Sequence, residues 1–308
     1  MKILVTGGAG FIGSHLVDAL IAKGHQVMIL DDFSAGNKKF VSPRVKVSRV
    51  DIRQAEKVEA VFKSFKPRAV FHLAAMVDVR VSLKEPIQDY LVNVHGSMNI
   101  LEACRKHKIK KLIFSSSGGA IYGDNNHLPL KETEVPRPIS PYGVAKKVFE
   151  DYARVYRELY GLSVICLRYP NVYGPRQGAV GEAGVVAIFC KRLLANKPLI
   201  IFGSGKQTRD FIFVQDVVES NVKALECNKS WVVGNVSTQL ETDINEIAKK
   251  LLKISGIKVA IRRQSAIPGE VKRNVLSNAL IKRELGWSPK ISLDEGLKRT
   301  WKWFEENY

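Results

Sequence analysis

With 308 residues, 45% of them hydrophobic and 25% charged, the chain has the balance of a globular protein and the length for one large domain or two modest ones. Its formal net charge of +18 raises the question of a polyanion, but the basic residues are spread along the chain with no aromatic-interleaved stripe, so no nucleic-acid partner is expected. No apolar run approaches the roughly 18 residues of a membrane span, and Cys104, Cys166, Cys190 and Cys227 lack C-x-x-C spacing, so no membrane, metal site or disulfide framework is expected.

The first element is an apolar strand, Lys2-Ile3-Leu4-Val5, which breaks into glycines at Thr6-Gly7-Gly8-Ala9-Gly10-Phe11-Ile12-Gly13. A strand signal at residue 2 leaves no room for a secretory leader, and a cytoplasmic location is the expectation. Gly8, Gly10 and Gly13 fit G-x-G-x-x-G, and Gly7, Gly10 and Gly13 fit G-x-x-G-x-x-G. Glycine permits the tight turn, lets the main chain approach a pyrophosphate, and lets the following helix pack on the strand. The helix N-terminus adds unpaired N–H groups and a positive dipole end. Leu16, Leu20 and Ile21 carry the helix, Gly24 ends it, and the strand Val27–Leu30 leads to Asp31-Asp32. An acid about 20 residues past the glycines can hold the adenosine ribose hydroxyls and repels a 2′-phosphate, which points to NAD rather than NADP.

Strand and helix signals then alternate. A strand near Val45–Val50 precedes a helix near Ala55–Phe65, and a strand at Ala69–Leu73 precedes a long helix near Pro86–His107. Next come a strand at Lys111–Ser115, a helix from Pro141 to about Tyr160, and a strand at Ser163–Arg168. This alternation predicts an α/β fold, a Rossmann-type doubly wound parallel sheet over residues 1–170, with ligands beyond the carboxyl ends of its strands. A glycine-rich loop (Gly174, Gly178, Gly181, Gly184) then opens a stretch of shorter elements. Strands are expected at Leu199–Phe202, Phe211–Val214, Val232–Val236 and Lys258–Arg263. Helices are expected up to about Asn196 and at Gln215–Cys227, Ile244–Ile254, Ala279–Leu285 and Leu293–Phe304. Residues 171–308 read as a smaller mixed α/β substrate-binding region, with about 211–236 returning to the first sheet.

The segment Ser140-Pro141-Tyr142-Gly143-Val144-Ala145-Lys146 carries the most specific chemical signal. Ser140 suits a helix N-cap and Pro141 the first helical position, so Tyr142 lies in the first turn. Lys146, four residues on, shares its face. A nearby ammonium favours phenolate over phenol and so lowers a tyrosine pKa toward a useful value. The strand Lys111–Phe114 ends in Ser115-Ser116-Ser117-Gly118-Gly119, which sets hydroxyls where a cofactor would end.

With these pieces in order, the chain resembles the extended short-chain dehydrogenase/reductase family, closest to the UDP-glucose (UDP-galactose) 4-epimerases. The similarity takes in Thr6–Gly13, Asp51-Ile52, His72-Leu73-Ala74-Ala75, Asn93-Val94-His95-Gly96, the serine strand, Tyr142–Lys146 and Leu167–Arg176. It extends to Thr208–Asp216 and Leu285-Gly286-Trp287-Ser288-Pro289. The resemblance implies tightly bound NAD, with Gly7, Gly10, Phe11, Ile12 and Gly13 at the pyrophosphate and Asp31 with Asp32 at the adenosine ribose. Asp51 and Ile52 would flank adenine, while Leu73, Ala74, Ala75, Asn93 and Pro170 would line the cofactor path. Tyr142 would be the acid/base, Lys146 would hold the nicotinamide ribose and tune Tyr142, and Ser117 would assist at the sugar hydroxyl. Asn171, Arg209 and Asn274 would contact a UDP-hexose, with Arg209 forked on its diphosphate. A homodimer built on the helices at Pro86–His107 and Pro141–Tyr160 is implied as well.

The match departs from the family at two places. The serine loop carries Gly118-Gly119 where many relatives are one residue shorter, so Ser116 competes with Ser117, which the count from the strand favours. Many relatives also place arginine near Ile267 and aspartate at Glu270, leaving Arg262, Arg263 or Arg273 as the replacement. Asn274 falls near a position that limits the sugar's 2-substituent, so acceptance of N-acetylated sugars stays open. A 4,6-dehydratase needs acids just after the catalytic hydroxyl, where this chain has Gly118-Gly119-Ala120. Reversible epimerisation of UDP-glucose and UDP-galactose is therefore the expected activity. The alternatives are an epimerase of UDP-N-acetylhexosamine or UDP-glucuronate, and a non-catalytic NAD-binding protein of the same fold.

Overall fold

The computed structural model describes residues 1–178, 184–266 and 271–308. Its first six strands are β1 (Lys2–Thr6), β2 (Gln26–Asp31), β3 (Lys46–Arg49), β4 (Ala69–His72), β5 (Lys111–Ser117) and β6 (Ser163–Tyr169). There follow β7 (Asn171–Tyr173), β8 (Leu199–Phe202), β9 (Thr208–Phe213), β10 (Trp231–Asn235), β11 (Glu241–Asp243), β12 (Ile261–Gln264) and β13 (Arg273–Asn274). A seven-stranded sheet in the order β10-β6-β5-β4-β1-β2-β3 forms the centre, and its pairings are all parallel. The winding reverses between β1 and β4, so a crevice opens beyond the carboxyl ends of those two strands. The central strands are buried on both faces and read as nearly continuous apolar runs, Ile3-Leu4-Val5 and Ala69-Val70-Phe71.

Helices cover both faces. The early ones are α1 (Phe11–Ala22), α2 (Ala55–Phe65), α3 (Val79–Lys84), α4 (Pro86–Asp89), α5 (Ser97–Lys106), α6 (Gly118–Ile121) and α7 (Pro141–Tyr160). The later ones are α8 (Val185–Leu194), α9 (Val214–Glu226), α10 (Ile244–Ser255), α11 (Ala279–Leu285) and α12 (Leu293–Asn307). Leu16 and Leu20 of α1, Val217 of α9 and Ile281 of α11 share a core against one face of the sheet. Phe62 of α2, Leu101 of α5 and Phe149 of α7 share the core on the other. A third core gathers α8, α10 and α12 around a mixed sheet in which β9 runs antiparallel to β11 and parallel to β13 and β7. The Asp216 carboxylate accepts N–H bonds from Lys290 at 3.0 Å and Ile291 at 3.1 Å, and its carbonyl accepts the Trp287 indole N–H at 3.0 Å. These bonds fasten the C-terminal segment to α9.

The sequence predicts one helix over Pro86–His107, and the structure divides it. After α4 the chain passes through a π-helical turn, Tyr90–Gly96, before α5. The wider turn frees the Asn93 side chain to bond both the N–H and the carbonyl of Met76, at 2.9 and 2.8 Å. Apolar periodicity alone does not register such a turn, which goes with polar bonds to a distant loop. Strand β5 also runs two residues past its expected end, so Ser115, Ser116 and Ser117 alternate faces as strand residues.

A fully buried imidazole closes the end of β4. His72, at the end of β4, meets the Thr6 hydroxyl at 2.7 Å and the Ser97 hydroxyl at 2.8 Å, and its ring lies tilted against those of Phe114 and Phe149. Burial drives its pKa down to about 3, with the Lys146 cation adding to the shift. The native chain therefore refuses a proton that the unfolded chain accepts below its ordinary value of 6.5, and stability falls as pH drops through that window. Relative to His72→Gln, the wild type is expected to lose about 2 kcal/mol of unfolding free energy between pH 7 and pH 5. Urea titrations of both proteins at the two pH values check this, and parallel losses would remove His72 as the cause.

Candidate active site

The turn between β1 and α1 is shaped by what a side chain would strike. Gly7 has φ +69°, and a Cβ there would lie 2.6 Å from the Ala74 nitrogen. A Cβ on Gly13 would lie 2.1 Å from the Gly7 carbonyl oxygen, so glycine is what lets α1 sit on the turn. At Gly10 the only nearby atom among the described residues would be that same carbonyl oxygen, at 3.2 Å. The turn's outer side is thus open where the N-terminus of α1 presents its first N–H groups. Phe11 and Ile12 begin the helix half-buried beside this opening.

Asp31 stands at the carboxyl end of β2. Its carboxylate accepts the Ala9 N–H at 2.9 Å and the Phe33 N–H at 2.8 Å. Burial pushes its pKa up while those two donors pull it down. Each oxygen keeps further lone-pair capacity for ribose hydroxyls. Asp32 turns outward and holds the Ser34 N–H and hydroxyl at 2.9 and 2.7 Å. Asp51 is forked by Arg53, which holds its carboxyl below the usual range. Ile52 is buried, and a Cβ on Gly96 would meet it at 2.7 Å. Leu73, Ala74 and Ala75 leave β4 half-buried, and the Ala74 N–H donates to the Thr6 hydroxyl at 3.2 Å. A glycine turn open toward a helix N-terminus, with a buried carboxylate on the next strand, fits a dinucleotide with a free ribose 2′-hydroxyl.

Tyr142 and Lys146, the expected acid/base pair, sit on α7. Ser140 caps the helix by accepting the Gly143 N–H at 3.2 Å, with Pro141 next. Lys146 is buried and donates from Nζ to the Ser115 carbonyl at 2.8 Å. The same nitrogen lies 5.6 Å from the centre of the Tyr142 ring and 4.7 Å from that of Phe114. Burial lowers the Lys146 pKa to about 8, against the pull of the Asp89 and Glu150 carboxylates. Tyr142 is half-buried at the head of the helix, and its N–H meets the Ser82 hydroxyl at 3.4 Å. Ser116 points into the protein and donates to Glu150 Oε1 at 2.6 Å, whereas Ser117 is half-buried on the other face of β5.

The later region brings its residues to the same corner. Pro170 links β6 to β7, where Asn171 pairs with Phe211 of β9. Arg209 on β9 pairs with Asn274 on β13, and Arg209 Nη1 donates to the Thr208 carbonyl at 2.8 Å. Asn274 is buried, its amide nitrogen 3.3 Å from the Gly118 carbonyl just past Ser117. Its Oδ1 has no partner among the described residues. The arginine alternatives separate. Arg262 is exposed on β12, which pairs only with β8. Arg263 donates to the Ser204 carbonyl at 2.6 Å, and Arg273 forks onto Glu241. Gly181, Ile267 and Glu270 lie outside the described residues.

Sequence reasoning missed two charged groups at this corner, Glu150 and Arg168. Glu150 lies on the face of α7 that carries Lys146, four residues on, and Arg168 is the charge within the apolar strand Ser163–Tyr169. A lone arginine in a buried strand is a signal that a buried acid awaits it.

The family model for the NAD dependent epimerase/dehydratase family matches residues 3–236. A crystal structure of UDP-glucose 4-epimerase with UDP-glucose from Thermotoga maritima superimposes with a TM-score of 0.97 at 44% identity, covering 99% of each chain. That of the Thermus thermophilus UDP-glucose 4-epimerase in complex with NAD gives 0.96 at 41% identity, covering 100% of both. UDP-glucose 4-epimerase of Mycolicibacterium smegmatis is 39% identical over 99% of this chain and 98% of its own. Relatives at lower identity bear the names UDP-glucuronate 4-epimerase and UDP-N-acetylglucosamine 4-epimerase. The open glycine turn, the buried Asp31 and the Tyr142–Lys146 helix thus coincide with a match over most of the sequence, and the chain belongs to the NAD dependent epimerase/dehydratase family.

Proposed function

We propose that this protein interconverts UDP-glucose and UDP-galactose at C4, using tightly bound NAD. The observation that carries the reading is the pairing of Tyr142 and Lys146 on α7 with a β5 end that offers Ser117 and then Gly118-Gly119-Ala120. No carboxylate follows Ser117 to remove a proton elsewhere on the sugar, so the site has the groups for chemistry at one hydroxyl only. The names of the relatives above support the same substrate class.

NAD, when bound, supplies reversible hydride acceptance, so no net oxidant is needed. Tyr142 holds and moves the proton of the sugar 4-hydroxyl, as phenolate in one direction and phenol in the other. The Lys146 ammonium stabilises the phenolate, and the carbonyl of Ser115 fixes where that ammonium stands. Ser117 donates its hydroxyl proton to the same sugar oxygen and so orients it. Arg209 holds the diphosphate while Asn171 meets the sugar, leaving the hexose free to present either face. Asp31 and the glycine turn keep the cofactor in place between turnovers.

A second reading rests on Asn274. Its buried Oδ1, without a partner among the described residues, is an acceptor that suits the N–H of a 2-acetamido group, so UDP-N-acetylhexosamines are the next substrate class.

A second copy of the chain is the occupant we assign to the outer face of α7. Val144, Tyr152, Val155 and Leu159 are exposed there at helical spacing, beside exposed Leu83 and Ile87 from α3 and α4. An apolar stripe of this kind on a long helix suits pairing with its own copy. Light scattering should give twice the monomer mass, and Leu159→Glu should return it to the monomer. A monomeric wild type would remove the dimer.

Purified protein is incubated with UDP-galactose, UDP-N-acetylgalactosamine and UDP-galacturonate in turn, without added NAD, and UDP-galactose should yield UDP-glucose. Conversion confined to the acetamido sugar or the uronate moves the assignment to that substrate, and no 4-epimer from any of them overturns it. Tyr142→Phe should retain bound NAD and lose at least about a hundredfold in kcat, the scale of a lost general acid/base. Turnover near the wild-type rate would take Tyr142 out of the reaction.

A further inference from the structure

Behind the serine strand lies an ion pair almost without water. Glu150 and Arg168 are 3% and 4% exposed, and the guanidinium forks onto the carboxylate, Nε to Oε1 at 2.9 Å and Nη2 to Oε2 at 2.6 Å. Further bonds spread from the pair. Ser116 of β5 donates to Glu150 Oε1 at 2.6 Å, and Arg168 Nη1 donates to the Tyr122 hydroxyl at 2.7 Å. Tyr122, next after α6, donates in turn to Asn235 Oδ1 on β10 at 2.9 Å. Asn235 closes the network by donating to the Leu130 carbonyl at 3.1 Å and the Glu132 carboxylate at 2.8 Å. The segments that carry Tyr142, Lys146, Ser117 and Gly118 are thus tied to one buried charge pair.

Stability alone is a poor reason for such a pair, since well-packed apolar residues of the same volume commonly serve as well or better. Position and charge are better reasons. Glu150 lies one turn past Lys146 and two past Tyr142 on the same helix face, and Ser116 is the residue before Ser117. We infer that Glu150 and Arg168 are positioning residues, which clamp the catalytic helix to the serine strand and set the field in which Tyr142 and Lys146 share a proton. The inference rests on the epimerase reading above.

The charged and titratable groups around that proton are few. Lys146 faces Asp89 from α4, His72 from β4, and Glu150 and Tyr142 from its own helix. Glu150 faces Arg168 and Cys166 from β6, and Arg168 faces Tyr122 and Glu132. Removing the anion disfavours the Lys146 ammonium and leaves Arg168 uncompensated, so the Tyr142–Lys146 pair releases its proton at lower pH. Removing the cation does the reverse. A loosened fold has no reason to give opposite signs.

The experiment compares E150Q, R168M and S116A with the wild type, all as purified holoenzyme. Expected for E150Q and R168M is a kcat about a hundredfold lower, as misplacement of reacting groups by an ångström gives, with KM within about threefold and NAD content unchanged. The midpoint of the pH–kcat profile should move down in E150Q and up in R168M, by about one unit each. S116A, which removes a hydroxyl and no charge, should lower kcat about tenfold with no shift in midpoint. The Tyr142 titration is also read without turnover, as near-ultraviolet phenolate absorbance against Y142F in each background. A wild type without epimerase activity would remove the reading of function, yet the absorbance titrations would still decide the charge effect. Equal kcat in S116A and wild type would overturn the clamp. Midpoints that stay put, or move the same way in E150Q and R168M, would overturn the field.

Discussion

Lys146 carries its charge where almost no water reaches, and much of the surrounding structure answers to that. A primary ammonium has three N–H donors and a large hydration energy to replace. The Ser115 carbonyl takes one donor at 2.8 Å, the Phe114 ring faces the group at 4.7 Å, and the Asp89 and Glu150 carboxylates supply opposing charge. Those carboxylates are themselves buried and need partners. Asp89 has the Asn93 amide at 2.8 Å, and Glu150 has Arg168 and Ser116. One buried cation thus calls up a chain of satisfied polar groups that reaches β5, β6, α4, α7 and the π-helical turn. Burial outweighs the opposing pull of the two carboxylates and brings the lysine pKa down to about 8.

At the other end of the cleft the governing constraint is steric. Gly13 lies so close to the Gly7 carbonyl that α1 rests directly on the turn it follows. That contact aims the helix dipole at the point where β1 and β4 diverge. The Thr6 hydroxyl then links the turn to β4, through His72 on one side and the Ala74 N–H on the other. Asp31 links it to β2 through the Ala9 N–H. Because each bond runs between different strands, the cradle is held in shape by the sheet, and a cofactor finds its donors already placed.

Which parts of this were legible in the sequence follows from the range of the forces involved. Helix α2 at Ala55–Phe65 falls where its own periodicity puts it, and helix α7 at Pro141–Tyr160 where its periodicity and the Ser140 cap put it. The glycine turn and Asp31 were legible because sterics and chain reversal act over a few residues. The π-helical turn was not, since the bonds that accompany it join Asn93 to Met76, 17 residues away. Strands β7, β11 and β13 were missed because each has three residues or fewer and exists only through pairing with β9. Asn274 reaches the Gly118 carbonyl over 156 residues, a juxtaposition no local pattern encodes. The choice between Ser116 and Ser117 needed strand alternation and a partner. Once Glu150 is seen to take the Ser116 hydroxyl, the two serines cease to be equivalent.

The same logic bears on why the later region is built on β9. A sugar nucleotide held at both ends needs its diphosphate grip and its sugar contacts fixed relative to the acid/base helix, yet the hexose itself needs room to turn. Strand β9 meets the first requirement by pairing with β7, which follows β6 after a single proline, and with β13, which carries Asn274 to the Gly118 carbonyl. Asp210, next to Arg209 and wholly buried, accepts bonds from the Thr238 N–H at 3.1 Å and the Gln239 N–H at 3.2 Å, with the Thr238 hydroxyl at 2.6 Å. Burial raises its pKa and those donors lower it, so the strand is locked by an acid that faces hydroxyls and backbone N–H groups. An arginine on so tightly held a strand can pin an anion while leaving the groups around the hexose small. Gly118, Gly119 and Ala120 supply that smallness at the end of β5. On the function proposed above, the firmly held strand under Arg209 and the small residues after Ser117 serve the same end, reversible chemistry at a single carbon.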